Sequence, residues 1–186
     1  MSTSDDYMTP AYAWENIARF LPKDKVCYEP FYGDGKSGEV LRGLGLEVIH
    51  EDTDFFTNTY DFDYICTNPP FSKLKQIFAE LKAIGKPFIV LCPCTTLTTK
   101  YFSKHFADEI QIIVPPRRIH VEKLVDGKPV ENYKSRCNFD CLYYCWKMDL
   151  PSDLVWLINW PHLASSCIPR RASQHLWQTP LKKYQV

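Results

Sequence analysis

Several things are missing or scarce in this sequence, and each absence removes a class of protein. The segment MSTSDDYMTP carries two acids and no apolar core, so a secretory leader is not expected. No stretch approaches 18 uncharged apolar residues, and we expect no membrane association. A chain with neither signal is expected inside the cell, in a reducing cytoplasm or nucleus, with its 8 cysteines mostly as buried thiols. Cys137, Cys141 and Cys145 follow a spacing of four, which puts them on one strand face. That pattern resembles no C-x-x-C pair, and the histidines show no metal-ligand spacing, so no metal is expected. Net charge is zero, so no overall basic field advertises nucleic acid. Repeats, low-complexity blocks and linkers are absent too.

What is present fits a single domain. A chain of 186 residues with 45% hydrophobic residues can bury a full core, and aromatics reach a high 15%. Apolar positions at Ala11, Trp14, Ile17, Ala18 and Leu21 predict a helix over 10–21, opened by Thr9-Pro10. Strands are expected at 25–29, 47–50, 61–67, 87–92, 109–114 and 139–146. Helices are expected at 39–44, 74–81 (capped by Ser72) and 99–106. Strands alternating with helices predict an α/β fold with a mostly parallel, doubly wound sheet. The domain is expected to span 1–150, with 151–186 as a tail packed on it or contributing to substrate binding.

Gly33-Asp34-Gly35-Lys36-Ser37-Gly38 fits G-x-G-x-x-G between a strand and a helix, a turn that lets backbone and ligand approach closely. It is not a phosphate loop. The glycine required five residues before Gly35 is replaced by Pro30. Glu29, directly before the turn in Glu29-Pro30-Phe31, would repel a pyrophosphate but welcome an ammonium group. The second strand ends in Glu51-Asp52, and an acid there can accept both hydroxyls of a ribose, with Asp52 preferred and Glu51 the alternative. Thr53-Asp54-Phe55-Phe56 follows, suited to an adenine ring stacked on an aromatic with its amine hydrogen-bonded. Acid for ammonium, acid for ribose and Asp-Phe for adenine together describe S-adenosylmethionine.

Residues 66–72 read CTNPPFS, two prolines at the end of an apolar strand. With Thr9-Pro10, Glu29-Pro30-x-x-Gly33-x-Gly35, Asp52, Asp54-Phe55-Phe56 and Asp63–Phe71, the sequence resembles the S-adenosylmethionine-dependent adenine-N6 methyltransferases of nucleic acid. The likeness extends to their compact phage- and virus-type members and covers roughly 7–147. It implies a Rossmann-like class I fold: a mostly parallel seven-stranded sheet with an antiparallel last strand and helices on both faces. It implies that Asn68 and the Pro69 carbonyl accept the two N–H groups of the target amine. Pro70 would stiffen the turn and Phe71 stack on the base. Tyr7, Thr9, Pro10, Glu29, Pro30, Phe31, Gly33, Gly35, Asp52, Thr53, Asp54, Phe55 and Asn68 would hold the cofactor.

NPP-aromatic turns also serve enzymes that methylate protein glutamine. Phe at 71 and the Asp54-Phe55-Phe56 run resemble the adenine enzymes more, and Asn68 argues against cytosine-N4. A catalytically silent nucleic-acid-binding subunit of a heterodimer is the alternative from another class. Nucleic acid is the expected partner, DNA favoured over RNA. Residues 115–136 hold Arg117, Arg118, Lys123, Lys128, Lys134 and Arg136 against three acids. Residues 160–186 hold Arg170, Arg171, Lys182 and Lys183 with none. Arg117, Arg118, Lys134 and Arg136 are the expected phosphate contacts beside Phe71. No separate recognition domain is expected in this length, so specificity is expected either to be short, built from the 115–136 loop and the tail, or to come from a second subunit, a homodimer copy or a partner.

Overall fold

The computed structural model describes residues 7–57, 59–125, 128–129 and 140–157. In chain order the elements are β1 (Tyr7–Met8), α1 (Ala11–Ile17), β2 (Val26–Tyr28), α2 (Lys36–Gly43), β3 (Glu47–Ile49), β4 (Tyr64–Thr67), α3 (Leu74–Ile84), β5 (Phe88–Pro93), α4 (Lys100–Phe106), β6 (Ile110–Val114), β7 (Glu122–Val125), β8 (Lys128–Pro129), β9 (Cys141–Trp146) and β10 (Leu154–Trp156). Short 3-10 turns at Ala18–Phe20, Phe71–Lys73 and Cys94–Thr98 interrupt this sequence.

Seven of the strands form one sheet in the order β10-β6-β9-β5-β4-β2-β3. Six share a direction, and β9 runs antiparallel to both β5 and β6. The sheet is thus the mixed, mostly parallel one expected. Its antiparallel strand is followed by β10, which pairs parallel to β6 from within the segment read as a tail. A single inward residue, Val155, between exposed Leu154 and Trp156 gives that strand almost no sequence signal.

Side chains alternate between two cores, as the period of an extended chain requires. Cys27, Tyr64, Cys66, Ile89, Leu91, Tyr143 and Cys145 face Trp14, Ile17 and Leu41 of α1 and α2. Tyr28, Ile65, Phe88, Val90, Tyr144 and Trp146 face Ile77, Phe78, Phe102 and Phe106 of α3 and α4. The high aromatic content is concentrated in this second layer. Phe78 packs edge-on to Phe102 at 4.9 Å and Phe88 to Phe106 at 5.4 Å. Such contacts add about 0.5–1.5 kcal/mol each beyond burial.

Helix starts differ from the sequence pattern by a residue or more. Pro10, not Thr9, is the N-cap residue of α1, and Lys36 opens α2 three residues before Glu39. Ser72 does not cap α3; the Phe71–Lys73 turn leads into it instead. A small separate sheet, β1-β7-β8, pairs Tyr7 with Lys123 and Met8 with Glu122.

None of the described cysteines is in a disulfide: Cys27, Cys66, Cys92, Cys141 and Cys145 are buried, Cys94 half-buried. Burial pushes the thiols of Cys66, Cys92 and Cys145 up, away from the reactive thiolate. Among the described residues no helix is long and apolar enough to cross a membrane, and no cluster of His, Cys, Asp or Glu could hold a metal ion.

Candidate active site

Strand order reverses between β2 and β4. From β2 the chain moves outward to β3, and from β4 it moves the other way to β5. A crevice opens outside the carboxyl ends of the strands at such a point. A cavity of about 310 Å³ lies there, lined by Met8, Thr9, Glu29, Pro30, Phe31, Tyr32, Gly33, Asp34, Ser37, Asp52, Thr53, Asn68, Pro69, Pro70 and Phe71. The fold therefore joins the glycine turn, the second-strand acid and the double-proline turn in one site.

The glycine turn is shaped by its backbone. Gly33 and Gly35 take φ of 58° and 82°, values that side chains resist, and Gly35 is the N-cap residue of α2. Gly35 N–H donates to the Tyr32 carbonyl at 2.9 Å, and Asp34 Oδ1 accepts Lys36 N–H at 3.1 Å. Gly38 serves packing instead. A Cβ there would meet the His50 ring at 2.3 Å, so α2 lies directly against the end of β3. His50 is buried, and its Nδ1 donates to the Glu29 carbonyl at 2.9 Å. Its ring stacks on Tyr32 at 4.9 Å and 19°.

Glu29 is 1% exposed although it lines the cavity. Its Oε1 accepts the Phe31 N–H at 3.1 Å and the Thr67 hydroxyl, and the Asn68 N–H also donates to the carboxylate. Burial outweighs these donors and pushes the carboxyl up from 4.5 to about 8. Such a group ionises readily only beside a cation. It therefore ties the ends of β2 and β4 together and presents one carboxylate to a positively charged ligand group.

All four residues of β4 are buried, with β2 on one side and β5 on the other. The Asn68–Phe71 turn continues from this fixed strand. Pro70 is extended, with φ −61° and ψ 120°, and its carbonyl accepts Lys73 N–H at 3.1 Å. Pro69 is buried, and Phe71 is half-buried at the cavity wall. Asn68 Oδ1 is buried and accepts no hydrogen bond among the described residues. A buried acceptor without a donor is rare in a folded protein, and this one belongs to a residue that lines the cavity.

The loop after β3 is built differently. Asp52 and Thr53 line the cavity and Glu51 does not. Asp54 is not brought to it; it is exposed, and its Oδ1 accepts Phe56 N–H at 2.8 Å, closing a local turn. Phe55 is buried behind Phe31 at 5.3 Å, so Phe31 rather than Phe55 faces the cavity.

Of the remaining expected residues, Tyr7 lies in β1, and Pro10 is buried at the start of α1 and does not line the cavity. Arg117 and Arg118 are exposed after β6 and do not line the cavity; Arg118 Nε pairs with Asp140 at 2.6 Å. Lys134 and Arg136 lie outside the described residues, as do Arg170, Arg171, Lys182 and Lys183. Sequence reasoning missed Met8, Tyr32, Asp34, Ser37 and His50. The Glu-Pro-Phe-Tyr run marks Tyr32, and His50 sits directly before the second-strand acids, but neither fact alone reveals the stack between them.

The residues present fit S-adenosylmethionine. The buried Glu29 carboxyl can take a cationic group, Asp52 can receive hydroxyls, and the orphan Asn68 acceptor can receive an N–H.

No protein-family model and no curated protein matches the chain. Among solved structures it is similar to a dimethyladenosine transferase from Plasmodium falciparum, with a TM-score of 0.43, 10% identity and coverage of 75% of this chain and 62% of that one. It is also similar to a SAM-dependent O-methyltransferase from Thermotoga maritima, with a TM-score of 0.43, 12% identity and coverage of 73% and 64%. The chain thus spans less than two thirds of either protein, and likenesses this distant carry no chemistry across.

Proposed function

We propose that the protein is an S-adenosylmethionine-dependent methyltransferase that modifies the N6 amine of adenine in nucleic acid, DNA in preference to RNA. The observation that carries this reading is Asn68 Oδ1, a buried acceptor with no donor among the described residues, on the wall of a cavity that Glu29 also lines. The DNA preference rests on the Thr9-Pro10, Glu29–Gly35 and Asn68–Phe71 arrangement that the sequence shares with compact adenine methyltransferases.

Glu29 would take the cofactor's ammonium, Asp52 its ribose hydroxyls, and Phe31 would lie along its adenine. When bound, the cofactor supplies a methyl group on a sulfonium, which needs neither a nucleophilic side chain nor a metal. An exocyclic aromatic amine is a poor nucleophile because its lone pair is delocalised into the ring. Asn68 Oδ1 and the Pro69 carbonyl accept its two N–H bonds, favour sp³ geometry and hold the lone pair toward the methyl. Acceptors fixed before the reaction need no reorganisation during it, which is what two consecutive prolines after a buried strand provide. Phe71 gives the target base a face to stack on.

The test offers labelled S-adenosylmethionine and purified protein to single-stranded DNA, duplex DNA, RNA and a peptide mixture in parallel. Label is expected in nucleic acid, most in DNA. Label in peptide alone would overturn the adenine reading in favour of glutamine methylation.

A further inference from the structure

An adenine in a duplex reaches the Asn68 amide only by leaving its stack, and the gap it leaves is costly unless a side chain fills it. The described residues expose five large apolar side chains: Tyr32, Phe56, Leu97, Leu154 and Trp156. Tyr32 is held against His50 on the glycine-turn side of the cavity. Phe56 lies in the loop after the edge strand β3, and Leu154 and Trp156 lie on β10 at the opposite edge. Leu97, 40% exposed, stands elsewhere, in the Cys94–Thr98 turn that ends β5. Strand β5 pairs parallel with β4, Val90 opposite Thr67, so this turn and the Asn68–Phe71 turn both follow the carboxyl ends of neighbouring strands.

The turn is rigid and otherwise polar. Cys94 N–H donates to the Asp140 carbonyl at 2.7 Å, and the Tyr144 hydroxyl donates to the Pro93 carbonyl at 2.8 Å. The Thr98 hydroxyl donates to the Thr95 carbonyl at 2.9 Å and the Thr99 hydroxyl to the Thr96 carbonyl at 2.7 Å. Asp140 also holds Arg118, so a cation is fixed to the same small framework. These bonds fix the backbone of the turn, and Leu97 is its one exposed large apolar side chain, carried at the carboxyl end of the strand that neighbours β4.

We propose that Leu97 is an intercalating wedge, filling the base stack as the adenine turns into the cavity, and that the substrate is therefore double-stranded. This rests on the proposed adenine methylation and adds the strandedness of the substrate and the residue that sets it. The experiment measures kcat/KM for wild type, Leu97→Ala and Leu97→Met on mixed-sequence DNA, native or heat-denatured, and on native DNA carrying mismatches at adenines. Leu97→Ala is expected to lose about tenfold on native DNA with little change on denatured DNA. Leu97→Met should recover most of the loss, and mismatched duplexes should narrow it, since their bases leave the stack easily. An equal loss on both substrates overturns the wedge, as does a wild type that methylates single strands alone; either leaves adenine methylation standing. A wild type that labels no nucleic acid overturns the functional reading itself, and the wedge with it.

Discussion

The two sides of the cavity are built to different standards. On one side, β4 is buried along its whole length, paired on both edges, and runs directly into the double proline. On the other, β3 is an edge strand with Glu47 exposed and Val48 and Ile49 half-buried, and Glu51, Asp52, Thr53 and Asp54 beyond it are exposed. That loop keeps its shape through local bonds, Asp54 to Phe56 and Thr53 to Tyr60, and through Phe55 sunk into the core. The Asn68–Phe71 turn is thus preorganised by strands that cannot move without disturbing both cores. The exposed Glu51–Asp54 loop is freer to adjust. Substitutions on the first side should therefore act on chemistry, and those on the second on affinity.

Four substitutions can break or sharpen that contrast. Asn68→Ala should reduce kcat by about 10²–10³ while leaving the cofactor Kd near the wild-type value, as removal of one preorganised group does elsewhere. Single-turnover transfer and calorimetric titration separate the two effects.

Glu29→Gln should weaken cofactor binding by about ten- to a hundredfold, since a charged hydrogen bond is lost. It also carries a pH signature. In the folded protein without cofactor Glu29 keeps its proton up to about 8, against 4.5 unfolded, so stability falls as pH rises through that window. Thermal denaturation between pH 5 and about 8 should show a slope that the Gln variant lacks. Cofactor affinity of the wild type should rise with pH over the same range, because the ammonium selects the ionised carboxylate.

Gly38→Ala drives a methyl into the His50 ring and should destabilise the fold by about 1–3 kcal/mol, lowering Tm. Adding His50→Ala should recover part of the loss, a coupling that a double-mutant cycle measures. Asp52→Ala is the mildest of the four, with an affinity loss of about tenfold and kcat unchanged. An unchanged Kd would move the ribose contact away from Asp52, to Glu51 or elsewhere.

The sequence makes some parts of this molecule plain and hides others for physical reasons. Strands buried on two faces, such as 88–93, announce themselves as continuous apolar runs. The Asn68–Phe71 turn is legible because two prolines at a strand end have few structural uses. The pairing of Tyr7 and Met8 with Lys123 and Glu122 joins residues more than a hundred positions apart through a two-residue strand, and no local pattern encodes it. Asp54 read as a ligand because acids near a second strand often are. Its position three residues before Thr57 equally suits the turn it closes, where the Thr57 N–H reaches the Asp54 carbonyl at 3.2 Å. The Gly38–His50 contact illustrates a third kind of hidden feature. The glycine pattern was visible, but what presses against its last member is tertiary.

The central claim is the atom that receives the methyl. Duplex DNA labelled by the wild-type protein with methyl-labelled S-adenosylmethionine should be digested to nucleosides and separated chromatographically. The label is expected to migrate with N6-methyldeoxyadenosine, and Asn68→Ala should give about 10²–10³-fold less of it in the same time. Label migrating with a methylated cytosine, or on a ring nitrogen or ribose oxygen of any nucleoside, would contradict the account.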